Sequence, residues 1–162
     1  MFEKTGIPSN EMVMGKFPSI DRINKGPVAV VECYKEIPCN PCQTACKFDA
    51  IRVGEDINNI PSLNSDNCTG CAICLSKCPG LAIMVVDGSK SETTVQIKIP
   101  YEFLPLPAPG DVVKGLNREG KYITDVKVIN VLNPKSFDRT PVVTIESDRE
   151  FLYELRNIRV VE

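Results

Sequence analysis

The chain has 162 residues, 43% of them hydrophobic and 25% charged, and a formal net charge of -2. This composition fits a soluble globular protein of one ordinary domain or two small ones, and the near-even charge balance excludes a polyanion-binding surface, so no nucleic-acid partner is expected. No apolar run reaches the length of a membrane span, and the N-terminus "MFEKTGIPSNEMVMGKF" has neither a secretory h-region nor an Arg-rich transit pattern; no membrane insertion and a cytoplasmic location are expected.

Residues 1–26 place Met12, Met14 and Phe17 among polar residues and prolines. They are expected to form an extended arm that packs on the body or on a neighbour. The first strand is predicted at Val28 to Val31, a β-branched run. It leads into "ECYKEIPCNPCQTACKFDAI" (32–51), which nearly repeats 32 positions later within "DNCTGCAICLSKCPGLAI" (66–83). The repeat places Cys39 on Cys71, Cys42 on Cys74, Cys46 on Cys78, and Ala50-Ile51 on Ala82-Ile83. Cys68 falls on Glu36, and the earlier copy carries an extra Cys33 instead.

Beyond Val86, "DGSKSE" (87–92) reads as a boundary and "PYEFLPLPAPG" (100–110) as a stiff proline-rich connection. Strands are predicted in "DVVKGLN" (111–117), "KYITDVKVINVL" (121–132), "PVVTIES" (141–147) and "NIRVV" (157–161), with a short helix after the capping-box signature "SDRE" (147–150). Short strands with one helical turn before the last predict a small β-barrel over 89–162, SH3-like or OB-like. Tyr101, Phe103, Tyr122, Phe137, Phe151 and Tyr153 are read as its core or interface rather than as a base-stacking platform. A barrel of that kind would be removable without disturbing the cysteine-rich unit.

Eight cysteines and no histidine in a chain without a signal peptide point to metal ligands rather than disulfides. Paired C-x2-C units also occur in zinc sites. The run Cys68-x2-Cys71-x2-Cys74-x3-Cys78-Pro79 instead has the spacing of bacterial iron-sulfur proteins, in which the fourth thiolate serves a different cluster from the first three. The x3 steps, Cys42 to Cys46 and Cys74 to Cys78, are one helical turn, enough to carry the chain from one cluster toward its neighbour.

On these motifs, the segment from about Pro27 to Val86 resembles the two-cluster bacterial-type ferredoxins. The second copy matches throughout; the first departs at Lys47, where the family has proline, and at Glu36, where it has the leading cysteine. The resemblance implies an α+β fold: a two-cluster ferredoxin unit at 27–88, here followed by the all-β barrel. It further implies two 4Fe-4S clusters, one on Cys33, Cys39, Cys42 and Cys78, the other on Cys68, Cys71, Cys74 and Cys46. For the missing position, Cys33 is preferred to Glu36 because the three additional residues before Cys39 add reach. The alternative leaves Cys33 a buried free thiol and the first site a 3Fe-4S or labile cluster.

Three functional classes follow. The first is an electron carrier or an electron-relay subunit, and the second an enzyme in its own right. The second wants an open iron site such as a C-x3-C-x2-C run; Asp49 and Leu81 occupy the positions where its third cysteine would fall. The third is a module that a cluster merely staples. The roughly one hundred flanking residues favour a subunit in a hetero-oligomer with a flavoprotein or other redox partner over a freely diffusing ferredoxin; amino-acid or opine dehydrogenases contain similar ferredoxin-like subunits. Eight thiolates around two oxidised cores would take the net charge to roughly -6, which favours a basic docking surface.

Overall fold

The computed structural model describes residues 1–160. Its frame is one seven-stranded antiparallel sheet, and the order of strands explains most of the sequence. The strands are β1 (Val28–Val31), β4 (Ile83–Asp87), β5 (Thr94–Pro100), β6 (Val112–Leu116), β7 (Tyr122–Leu132), β8 (Val142–Asp148) and β9 (Asn157–Arg159), arranged β1-β4-β5-β8-β7-β6-β9. A two-stranded sheet of β2 (Ile51–Arg52) and β3 (Ser62–Leu63) lies beside it.

The two units expected at 27–88 and 89–162 share this sheet. Val85, Val86 and Asp87 of β4 pair with Lys98, Ile97 and Gln96 of β5, so the ladder crosses the anticipated boundary. Ile23, Val28, Val30, Met84 and Val86 bury into the same core as Val95, Ile97, Ile99, Val128 and Ile145. The opposite face of β1 and β4, formed by Ala29, Val31, Ile83 and Val85, is covered by the cysteine-bearing segments. Buried on both faces, these two strands read as continuous apolar runs, whereas β5 alternates, with Val95, Ile97 and Ile99 inward and Thr94, Gln96 and Lys98 half-buried.

The C-terminal half does not form a closed barrel. Irregularities between Gly115 and Leu116 and between Val128 and Asn130 bend β6 and β7, and the curled sheet gathers residues of all seven strands into one cluster. Its edge strands, β1 and β9, are not hydrogen-bonded to each other. Glu32, which follows β1, instead meets Arg118 after β6 and Arg156 before β9. Side chains bridge the gap that a ladder would have closed.

Two smaller expectations also change. The N-terminal arm is not extended: it forms three short helices, α1 (Phe2–Thr5), α2 (Asn10–Met14) and α3 (Ile20–Lys25). Ser9 and Ser19 cap the last two by accepting the N–H groups of Met12 and Arg22, and Ile23 is fully buried. The "SDRE" signature gives only a 3₁₀ turn, Arg149–Phe151, because its serine is already taken by β8. The last predicted strand is observed over Asn157–Arg159; position 161 lies outside the described residues.

Candidate metal centres

The two copies of the cysteine repeat build one short helix each, α4 (Pro41–Ala45) and α5 (Ile73–Lys77), packed against each other. Pro41 starts α4, where its missing N–H costs nothing. Cys42 and Cys74 sit within the helices and are buried; Cys46 and Cys78 occupy the C-cap positions one turn later. One turn is enough to send the two cysteines of each helix to different places. Cys33, Cys39, Cys42 and Cys78 line one cavity, between Val31 and the Pro79–Gly80 turn. Cys46, Cys68, Cys71 and Cys74 line a second, beside Ala29, Ile51 and Val85. Each helix therefore contributes one sulfur to each cavity.

The electrostatics follow the same grouping. Burial pushes the Cys74 thiol up to about 12, with Cys68, Cys71 and Cys46 adding to the rise. Burial likewise raises Cys33 and Cys42, and both also feel Cys78 and Cys39. Cys46 is the exception: burial raises it, but N–H groups of Ala50, Phe48 and Ile51 outweigh that and lower it. Thiols that raise one another when ionised want a cation between them.

Backbone donors converge on the sulfurs. The N–H of Ala50 donates to Cys46 Sγ at 3.3 Å and the N–H of Ala82 to Cys78 Sγ at 3.4 Å. These are equivalent positions, which gives the repeated Ala-Ile pair a physical role: the alanine donates, and the isoleucine, Ile51 or Ile83, is buried. The residue before each alanine, Asp49 or Leu81, adopts a left-handed conformation with φ 54° or 50°. The turn is thus the same in both copies, although Lys47, which is exposed, stands where the second has Pro79. Cys68 Sγ accepts from Ala29 at 3.3 Å and from Gly70 at 3.4 Å.

Cys33 and Glu36, the two candidates for the missing ligand, occupy different places. Cys33 lines the first cavity and is half-buried, whereas Glu36 is exposed and does not line it. Among the described residues, no three His, Cys, Asp or Glu side chains close around one point as a single metal ion requires. Four sulfurs spread around a cavity fit a polynuclear cluster, whose thiolates bind separate iron corners several ångströms apart. The apolar lining and the N–H···S bonds fit the same group.

Gly70 shows how closely the second site is built. Its φ is +66°, and a side-chain carbon there would lie 2.4 Å from Pro27 Cβ and 2.7 Å from the Pro27 carbonyl. Gly70→Ala is expected to lose at least ~3 kcal/mol of stability and the metal of the second site first, because the strained left-handed backbone and the backbone clash add together. Thermal melts and iron analysis check this; wild-type values in both would sink it.

Sequence reasoning missed the residues that brace the two sites. Gln43 of α4 accepts the N–H groups of Val53 and Gly54 at 2.5 and 3.1 Å. Arg22 and Arg156 reach main-chain carbonyls of the cysteine-bearing segments, and Arg118 the carboxylate of Glu32 beside Cys33, each from 43 or more positions away. Single arginines at such separations leave no local pattern to read.

No family model matches the chain, and no solved structure does. The ferredoxin-type protein NapF of Escherichia coli (strain K12) is 38% identical over 52 residues, which is 31% of this chain and 32% of that protein. The proteins of the same name in the O6:H1 and O157:H7 strains match to the same extent. The chain thus matches about a third of the length of these curated relatives. No helix among the described residues is long and apolar enough to cross a membrane. Over that third the chain is similar to a ferredoxin-type protein, and this likeness, together with the sulfur-lined cavities, supports a ferredoxin-like iron-sulfur protein.

Proposed function

We propose that the chain is an electron-relay subunit that holds two 4Fe-4S clusters. The first is held by Cys33, Cys39, Cys42 and Cys78, and the second by Cys46, Cys68, Cys71 and Cys74. The observation that carries this reading is the division of eight cysteines between two cavities by helices that serve both. When bound, such clusters supply reversible one-electron transfer. The chain's own residues hold the sulfurs, aim N–H groups at them and keep bulk water from most of the site. Cys71 alone among the eight is exposed, and Ile37 and Phe48, which line the first and second cavities, are also exposed. Electrons would enter or leave where these sites reach the surface.

The partner in this reading is a flavoprotein or other redox subunit, because the sequence contains no flavin or nicotinamide motif of its own. A loaded charge of roughly -6 favours a basic face on that partner and an association rate that falls with salt. Anaerobic preparation is expected to yield about eight iron and eight labile sulfide per chain, with reversible bleaching of a broad visible absorption on reduction. Zinc without sulfide would end the reading. Clusters that cannot be reversibly reduced would favour a stapled structural module.

A further inference from the structure

We propose that the two segments flanking the cysteine repeat are site-specific braces, with Arg22 of the N-terminal helices positioning the second cysteine set and Arg118 with Arg156 positioning the first. The proposal rests on the cluster reading above. It adds named residues outside the cysteine repeat and gives each a separate site.

Arg22 spends its guanidinium on main chain. Nε donates to the Ser65 carbonyl at 2.8 Å, Nη1 to Gly26 at 3.0 Å, and Nη2 to Pro27 at 3.2 Å and to Cys68 at 2.7 Å. These bonds join the chain entering β1 to the loop that presents Cys68. The same two segments meet where Ala29 donates to Cys68 Sγ and where Pro27 occupies the space beside Gly70. Among the described residues no carboxylate pairs with Arg22. Its full charge therefore lies against the peptide of a candidate ligand.

The first set is braced from the other end of the chain. Glu32, directly before Cys33, has a side chain only 6% exposed and accepts from both Arg118 and Arg156. Arg156 Nη2 donates to the Leu81 carbonyl at 2.6 Å, and the Glu32 N–H donates to the Ala82 carbonyl at 2.8 Å. Ala82 in turn donates to Cys78 Sγ. One network thus fixes the backbone beside Cys33 and beside Cys78, and its two guanidiniums against one carboxylate leave a net positive charge there. Neighbouring positive charge eases the addition of an electron to a thiolate-ligated site, and ligand-orienting bonds slow loss of the metal.

The test compares Arg22→Ala, Arg156→Ala and, as a control, Arg149→Ala in the full chain prepared anaerobically. Arg149 makes a similar set of bonds, to Asn24, Gly88 and Ser91, but bonds no residue of either copy of the cysteine repeat. Cys33→Ser and Cys71→Ser identify which electron paramagnetic resonance signal belongs to which set. Arg22→Ala is expected to release the second set's iron to a chelator roughly 10–100-fold faster and to lower that set's midpoint potential, leaving the first set's signal in place. Arg156→Ala is expected to do the reverse, and Arg149→Ala to lower the melting temperature without selecting either signal. Should an alanine variant fail to fold, Arg22→Lys and Arg156→Lys supply the comparison, retaining the charge and therefore the potential while still releasing iron faster. Loss spread equally over both sets, crossed selectivity, or no change would overturn the assignment. An iron-free wild-type protein would instead remove the cluster reading, and the proposal with it.

Discussion

Ending the chain after Gly88 is expected to give an insoluble product with no bound iron, although all eight cysteines remain. The cut removes β5 and with it the ladder along β4. It also uncovers one face of β1 and β4, where Val28, Val30, Met84 and Val86 are now buried at 0% exposure. Exposing four such side chains costs about 1.5–3 kcal/mol each, which together is comparable to the whole stability of an ordinary domain. The other face of the same strands backs the sulfur cavities, so the sites lose their floor when the sheet goes. Soluble expression, circular dichroism and iron content check this. A soluble 1–88 fragment with a full complement of iron would show that the sheet is dispensable, as a removable C-terminal barrel would have allowed.

Cys33→Ser is expected to abolish or convert one site, leaving about half of the iron or a 3Fe-4S signal, while Glu36→Ala leaves both sites as they were. The contrast rests on placement. Cys33 follows the end of β1, and Glu32 and Ala82 hold the backbone beside it; its sulfur shares a cavity with Cys39, Cys42 and Cys78. Glu36 lies on the exposed loop between Cys33 and Cys39. Electron paramagnetic resonance of the two variants after mild oxidation and after reduction discriminates the outcomes. Damage in Glu36→Ala with an intact Cys33→Ser would make the carboxylate the ligand.

What the sequence made legible was whatever depends on neighbours in the chain. The β-branched run Val28 to Val31 forms a strand with those bounds, and the strands of "DVVKGLN", "KYITDVKVINVL" and "PVVTIES" appear close to where their patterns put them. The x3 steps fall on helical turns because α4 and α5 span them. The unread parts depend on distant partners. β5 has a clean alternation in "TVQIKIP", but the polar "DGSKSE" before it and Pro100 at its end make it look like a connection. Its pairing with both β4 and β8 is what turns two apparent units into one sheet. The three N-terminal helices have six residues or fewer, too short to stand on propensity alone, and α3 is fixed by the burial of Ile23 and the reach of Arg22. Arginine bonds to carbonyls across the fold have no signature at all in the order of residues.

The bond from the Ala29 N–H to Cys68 Sγ has a bearing on how the protein must be handled. β1 is an edge strand with four consecutive buried residues, and an apolar edge with open donors is a template for strands of other molecules. Here a thiol takes one of those donors, and the cysteine-bearing segments pack against Ala29 and Val31 of the same strand. Oxidation of Cys68, or loosening of its loop, would therefore do more than impair a redox site. It would open an aggregation-prone margin, so exposure to air is expected to show itself as oligomers and precipitate as well as loss of colour.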